Sequence, residues 1–153
     1  MKRFAFIVLL AAACQSTPGG TGGTGAGVGQ TPGAPSARAA VEAFLASVRA
    51  QDLQAMSIIW GTSRGPARDV LPDREQLEKR ELIMQCYLAH DRFRILSDTR
   101  TGEESHTVVV SLTKGDLTRQ TNFYTVRGPS DRWYVERADL EPVEDLCKDP
   151  PTE

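Results

Sequence analysis

The sequence predicts an α+β fold in which three N-terminal helices pack on a four-stranded antiparallel sheet. Up to about residue 90, apolar residues recur at the three- to four-residue spacing of amphipathic helices. After about residue 91 they alternate with polar residues, as in half-buried strands. Because helices come first and strands follow, we expect the helices to cover one face of the sheet.

The first helix is predicted over residues 37–50, with Ser36 as its N-terminal cap. Its apolar residues fall on one side: Val41, Phe44, Leu45 and Val48. A second, shorter helix is expected to begin after Asp52 and to end at Gly61. Its apolar residues also share a side: Leu53, Met56, Ile59 and Trp60. A polar loop with Gly and Pro is expected from there to Pro72.

The third helix is expected to begin after Asp73, where Gln76 completes a capping-box pattern. Three residues mark its buried stripe: Leu77, Met84 and Leu88. We expect four further residues to widen that stripe: Leu82, Ile83, Cys86 and Tyr87.

Four strands are predicted after the helices. In the first strand, Phe93 and Ile95 alternate with arginines. The other three are expected over residues 107–113, 119–127 and 132–140. The intervening segments are short and rich in Gly, Pro, Asp and Ser, which is typical of the hairpins of a meander.

Residues 1–13 have Lys2 and Arg3 directly after Met1, continue with an apolar run and end in three alanines before Cys14. This arrangement resembles the signal peptide and lipobox of a bacterial lipoprotein, although Ala11 stands where that motif usually has Leu. The apolar run is too short to span a bilayer. The alternative is an ordinary secretory peptide with an incidental cysteine.

The lipoprotein resemblance implies export, cleavage before Cys14 and attachment to a membrane through lipids on that cysteine. Gln15 follows the cysteine, which in enteric bacteria favours the outer membrane facing the periplasm. Residues 15–36 hold eight Gly, three Pro, four Thr and no charge, so residues 14–36 are expected to be a disordered tether. Residues 37–147 then form one domain, and residues 148–153 a loose tail.

The composition argues against several classes of function. Without Lys2 and Arg3 the chain has 16 basic and 20 acidic side chains, a formal net charge of −4, which disfavours nucleic acid and anionic lipid. Neither a metal nor a cofactor is expected, because the two histidines lie far apart and the G-x-G-x-x-G of residues 20–25 lacks a strand and a helix around it. The G-x-S-x-G of residues 61–65 is interpreted as a helix-ending turn.

If Cys14 is lipidated, as the resemblance implies, Cys86 and Cys147 remain as a pair in an oxidising compartment. We expect a disulfide between them. The alternatives are two structural thiols, or a nucleophilic Cys86 assisted by His90.

The segments AVEAFLASVRAQDLQAM and RWYVERADL, within residues 36–147, resemble the nuclear-transport-factor-2-like (cystatin-like) fold. That resemblance implies a curved, cone-type sheet around a long helix, with a pocket at its wide end. Some members of the family are enzymes, and many are binding or assembly modules.

Five aromatic residues form a possible pocket, although packing alone would also explain them: Trp60, Tyr87, Phe123, Tyr124 and Trp133. Glu136 and Asp139 are the catalytic candidates, since enzymes of the family place a carboxylate in the pocket. Asp98 is not expected to pair with His106, which is expected to be an exposed polar residue.

The sequence therefore favours a non-catalytic envelope module that binds an envelope protein or a small apolar ligand. The alternative is a small isomerase or hydrolase that uses Glu136 or Asp139.

Overall fold

The computed structural model describes residues 31–148 and confirms the α+β class. The signal peptide predicted for residues 1–13, the lipidation of Cys14 and most of the tail lie outside the described residues. The helices are α1 (Ala37–Ala50), α2 (Leu53–Ile59), α3 (Ala67–Val70) and α4 (Arg74–Tyr87). None of the helices within residues 31–148 is both long and apolar enough to cross a membrane.

The caps of the first two helices are those that the sequence predicts. The Ser36 hydroxyl accepts a hydrogen bond from the Ala39 backbone N–H at 3.1 Å and begins α1. The Asp52 carboxylate accepts one from the Ala55 N–H at 3.0 Å and begins α2. α2 ends at Ile59, slightly before the expected Gly61.

A small hairpin occupies the segment predicted to be a loop. β1 (Gly61–Thr62) pairs with β2 (Gly65–Pro66), and α3 follows directly. The strands approach so closely that a Cβ at position 61 would lie 2.4 Å from the Gly65 carbonyl oxygen. The G-x-S-x-G pattern therefore spans a tight hairpin turn, and glycine at position 61 serves close packing.

The main sheet is an antiparallel meander in the order β3-β4-β5-β6, as predicted. Its strands are β3 (Arg92–Arg100), β4 (Ser105–Lys114), β5 (Leu117–Arg127) and β6 (Trp133–Ala138). Register shifts interrupt the pairing between Ile95 and Ser97 and between Tyr124 and Thr125. Bulges of this kind bend the strand and increase its twist.

The core lies between α1 and the inner face of this sheet. Phe44 of α1 meets Phe123 of β5 edge to face, with ring centroids 6.3 Å apart. Both side chains are fully buried. The residues around them are also fully buried: Val41, Leu45, Val108, Val110 and Leu112. The space between this helix and the centre of the sheet is therefore filled by side chains.

The ordered domain begins earlier than the predicted boundary at residue 37. Ala34 is buried and exchanges two backbone hydrogen bonds with Trp133, at 2.9 and 2.8 Å. Gly33 donates to the Ile58 carbonyl, with a φ of 71° that favours glycine. The prediction of a disordered tether up to residue 36 is wrong over residues 33 and 34, because their backbone groups find partners at the end of α2 and at the edge of β6.

One face of α4 is more exposed than the sequence predicts. The Asp73 carboxylate caps the helix at the Gln76 N–H, and the predicted stripe residues Leu77 and Met84 are buried. Leu82 and Ile83, however, are 48% and 43% exposed. They lie on the side of α4 away from the core, so the prediction that they widen the buried stripe is wrong.

A 3₁₀ segment, Glu141–Cys147, closes the domain. Two of its own side chains, Val143 and Leu146, are fully buried. Lys114 donates to the Leu146 carbonyl at 2.6 Å, and Arg119 pairs with Asp145. A disulfide joins Cys147 to Cys86 of α4, which is the expected pairing.

Candidate functional site

The five aromatic residues of the predicted pocket do not line one common cavity. Phe123 is fully buried in the core. Trp60 donates its indole N–H to the Glu136 carbonyl at 3.1 Å, whereas Tyr124 lies under the guanidinium of Arg137. Tyr87 and Trp133 lie in two further places, beside the disulfide and beside His106.

An open apolar groove of about 460 Å³ runs along the exposed face of α4. Its floor is apolar and consists of Leu82, Ile83, Tyr87 and the Cys86–Cys147 disulfide. The lining positions on α4 recur every three or four residues, so they share one face of the helix. Exposed apolar side chains that gather in this way mark interaction sites more often than singly scattered ones.

The rim of this α4 groove is charged. Glu75, Glu78 and Lys79 lie at its N-terminal end. All three side chains are exposed, so the two carboxylates and the one ammonium leave this end with an acidic excess. Because the groove is open along its length, it presents an apolar strip with an acidic border to a partner.

A second hollow of about 230 Å³ continues the apolar strip towards the sheet. Ile83 lines both hollows, and Met84, Trp60 and Leu140 add apolar surface to the second. The exposed surface of α4 is therefore continuous with the surface around Trp60.

The two predicted catalytic carboxylates lie at or near the surface, one exposed and one partly buried. Glu136 is exposed at the mouth of the second hollow. Asp139 accepts hydrogen bonds from Asn122 and Tyr124, each at 3.0 Å, and pairs with Arg137 at 3.0 Å. Both oxygens of the Asp139 carboxylate thus have partners within the protein, which is typical of a structural side chain.

A third carboxylate, Asp98, forms a contact that the sequence interpretation missed. Asp98 Oδ1 lies 2.6 Å from His106 Nδ1, so the expectation that His106 is unpaired is wrong. The two residues are diagonal neighbours, since Asp98 of β3 pairs with Val108 of β4, two residues from His106. The bulge after Ile95 sets this register, and the sequence does not reveal the bulge.

Trp133 lies next to the Asp98–His106 pair on the inner face of the sheet. Its ring meets that of His106 edge to face, with centroids 4.9 Å apart, and the Arg127 guanidinium lies 6.0 Å from its centroid. Asp98 and His106 are both about one-quarter exposed. The arrangement orients the imidazole, since a carboxylate on Nδ1 favours the tautomer with the proton on that nitrogen.

Glu81 and His90 are buried titratable residues outside these sites. Glu81 of α4 is only 3% exposed, and its Oε1 has no hydrogen-bond partner within residues 31–148. Burial, with a smaller effect from Glu78, raises the pKa of Glu81 from 4.5 to about 7. His90 is 6% exposed, with Nδ1 2.9 Å from the Leu88 carbonyl oxygen. Burial lowers its pKa below 6.5.

Within the part of the chain that the structure describes, no three His, Cys, Asp or Glu side chains gather into a metal-binding set. Cys86 is held in the disulfide, so it is not available as the nucleophile that the sequence left open.

No protein-family model matches this chain, and no curated protein matches its sequence. Two solved structures are similar to it. An NTF-2-like protein of unknown function from Shewanella oneidensis MR-1 is 15% identical, with a TM-score of 0.43, covering 65% of this chain and 90% of its own. A candidate ketosteroid isomerase from Parabacteroides distasonis ATCC 8503 is 12% identical, with a TM-score of 0.42, covering 67% and 83%. Both similarities concern the fold alone.

Proposed function

We propose that this protein is a membrane-anchored envelope lipoprotein whose globular domain is a non-catalytic binding or assembly module. The observation that supports this role is the α4 groove, an exposed apolar strip bordered by charge. Two further observations agree with it. The core between α1 and the sheet is filled by packed side chains. Glu136 is exposed, and the Asp139 carboxylate is bound by Asn122, Tyr124 and Arg137.

The proposed occupant of the groove is a segment of an envelope protein that presents apolar side chains next to Lys or Arg. An open groove cannot surround a small molecule as a closed pocket does. A partner's protruding side chains can fill it from one side. Because Glu75 and Glu78 border the groove, basic residues on the partner would be favoured there.

The anchor is proposed from the lipobox resemblance of residues 1–14 and the uncharged, Gly-rich segment after it. Intact mass spectrometry of protein extracted from membranes tests it. We expect a mature chain beginning at Cys14 with the added mass of its acyl chains. Cys14→Ala should abolish that added mass and release the protein from the membrane fraction. An unmodified Cys14 would refute the anchor.

Site-specific photocrosslinking in whole cells tests the groove. A crosslinking residue at position 83 should capture one defined partner, which then binds the purified protein. The same residue at position 96, where an exposed leucine lies in the edge strand β3 and outside the lining of the groove, is the matched control. Glu75→Lys combined with Glu78→Lys should weaken capture at position 83. Equal capture at both positions would contradict the proposal.

The alternative function, a small isomerase or hydrolase, is better supported by Asp98 and His106 than by Glu136 or Asp139. The 2.6 Å contact between them leaves His106 Nε2 to accept a proton from a substrate. Turnover of a β,γ-unsaturated ketosteroid by the purified protein would test it. Activity that His106→Gln removes and Glu136→Gln leaves intact would support this alternative over the binding module.

A further inference from the structure

The outer face of the sheet carries a polar hollow of about 280 Å³ on β3, β4 and β5. Its lining combines two cationic side chains with three hydroxyl groups: Arg92, Arg94, Ser111, Thr113 and Thr118, with Phe93 between the arginines. This outer-face hollow lies on the side of the sheet that α1 does not cover. It is therefore separate from the α4 groove and from the Asp98–His106 contact.

The strand register explains why these side chains meet. Phe93 packs against the core, so the alternating residues Arg92 and Arg94 project from the opposite face. Arg92 pairs with Thr113 of β4, and Arg94 pairs with Ser111. Two residues along a strand are separated by about 6.6 Å, which leaves room for a small group between the two arginine side chains.

The hydroxyl groups form the floor of the hollow. Thr113 is the partner of Thr118 on β5, and their hydroxyl oxygens are 3.2 Å apart. Ser111 lines the hollow and is only 9% exposed. Short hydroxyl side chains on β4 and β5, beside two long arginines on β3, produce a depression with hydrogen-bond donors at its base.

Within residues 31–148, neither Arg92 nor Arg94 forms an ion pair or a side-chain hydrogen bond. The carboxylate that precedes them, Asp91, accepts a hydrogen bond from the Gly115 N–H at 2.7 Å. Some other arginines of the domain have carboxylate partners, as Arg119 has in Asp145. Two guanidinium groups at the hollow thus remain available to an anion.

We propose that this hollow binds a phosphate group. Each guanidinium presents a planar fork of N–H donors that matches two oxygens of an oxyanion. The hydroxyls approach from a different direction, so the donors surround a tetrahedral anion better than a planar carboxylate. The phosphate can belong to a lipid headgroup or to a soluble compound, since both present the same oxygens to the site.

The local charge matters more here than the net charge of the protein. A formal net charge of −2 for the whole chain, or −4 without Lys2 and Arg3, gives no long-range attraction to anions. Two arginines beside short polar side chains nevertheless provide short-range, directional contacts. We therefore expect binding in the millimolar range that weakens with salt.

The test uses the full chain carrying Cys14→Ala, with the disulfide verified by intact mass. Titration with inorganic phosphate is followed by ¹H–¹⁵N NMR, with sodium chloride at equal ionic strength as the reference. Saturable shifts are expected at positions 92–94, 111, 113 and 118. Arg92→Gln and Arg94→Gln should each weaken binding by about tenfold. Arg64→Gln, in the exposed turn between β1 and β2, is the matched control and should change nothing.

Vesicle sedimentation separates the two sources of phosphate. If phosphatidylglycerol vesicles bind the protein and Arg92→Gln abolishes the binding, the phosphate of a lipid headgroup is the ligand. Binding of inorganic phosphate without vesicle binding assigns a soluble compound. The proposal is overturned if phosphate shifts no more signals than chloride does, or if Arg64→Gln weakens binding as much as the hollow variants. Arg94→Lys, which keeps the charge and loses the fork, should bind with intermediate affinity.

Discussion

Cys86 and Cys147 are 61 residues apart in sequence, and the disulfide holds their Cα atoms 4.8 Å apart. The bond connects the last turn of α4 to the end of the 3₁₀ segment. Both half-cystines also line the α4 groove. One covalent bond therefore closes the domain and shapes part of its proposed binding surface.

Replacing both Cys86 and Cys147 by serine should lower the free energy of unfolding by about 4 kcal/mol. The disulfide closes a loop of 61 residues in the unfolded chain, and the double variant lacks that constraint. Urea unfolding of the variant and of the oxidised wild-type protein measures the difference. The reduced wild-type protein is the control and should unfold near the midpoint of the double variant. An unchanged midpoint would show that the disulfide does not stabilise the domain.

Glu81 should make the domain less stable as the pH rises. Its pKa is about 7 in the folded protein and 4.5 as the ordinary value, so the folded state holds the proton more tightly than the unfolded chain. The stabilisation is complete below about pH 4.5 and is lost as the pH rises to about 7. The full difference corresponds to about 3 kcal/mol. Most of this difference falls between pH 5 and pH 8, where urea unfolding measures it.

Glu81→Gln removes the charge and should flatten this pH dependence, with a higher midpoint than the wild-type protein at pH 8. Glu75→Gln, an exposed change in the first turn of the same helix, should leave the slope unchanged. If both variants kept the wild-type slope, the titration of Glu81 would not control stability.

His90 should act in the opposite direction. Burial lowers its pKa below 6.5, the nearby Arg49 lowers it further, and the Leu88 carbonyl and Asp91 partly oppose them. The unfolded chain therefore takes up this proton more readily, and stability falls as the pH drops through about 6.5. His90→Asn should remove that loss, as measured by urea unfolding between pH 5 and pH 7. A steeper loss in His90→Asn would contradict the assignment.

Leu88 and Ile83 should differ sharply in their effect on stability. Leu88→Ala removes a fully buried side chain and should cost about 2–5 kcal/mol. Ile83→Ala removes a side chain that is 43% exposed and should cost less than about 1 kcal/mol. Unfolding in urea measures both. A large loss for Ile83→Ala would mean that this residue serves the fold rather than binding.

The contact between Asp98 and His106 should determine the tautomer of the imidazole. With Nδ1 2.6 Å from the carboxylate, the neutral ring is expected to carry its proton on Nδ1. Long-range ¹H–¹⁵N NMR spectra of the ring identify the protonated nitrogen directly. Asp98→Ala should shift the ring towards the Nε2 tautomer, whereas Asp139→Ala should leave it unchanged.

The regular elements could be predicted because local chemistry determines them. Ser36, Asp52 and Asp73 each provide a side-chain cap, and the alternation of β4 places Val108 and Val110 on one face. These signals span only a few residues of sequence. The bounds of α1 and the order of the sheet follow from them.

The features that the sequence predicted wrongly, or did not predict, depend on contacts between distant parts of the chain. Ala34 is buried only because the edge of β6 offers Trp133 as a partner, almost 100 residues later. Leu82 is 48% exposed. The spacing of apolar residues along α4 cannot show this, because a leucine has the same apolar side chain whether or not a neighbour covers it. The Asp98–His106 contact depends on a one-residue bulge that no local pattern marks.

The junction between Ala34 and Trp133 determines how a pulling force would enter the domain. A pull on the chain before residue 32 first meets the two backbone hydrogen bonds of this pair and the bond from Gly33 to Ile58. The Arg132 guanidinium adds contacts of 3.2 and 2.7 Å to the carbonyls of Pro32 and Gly33. Residues 32–34 thus form a mechanical clamp, which bears tension before α1 and the core do.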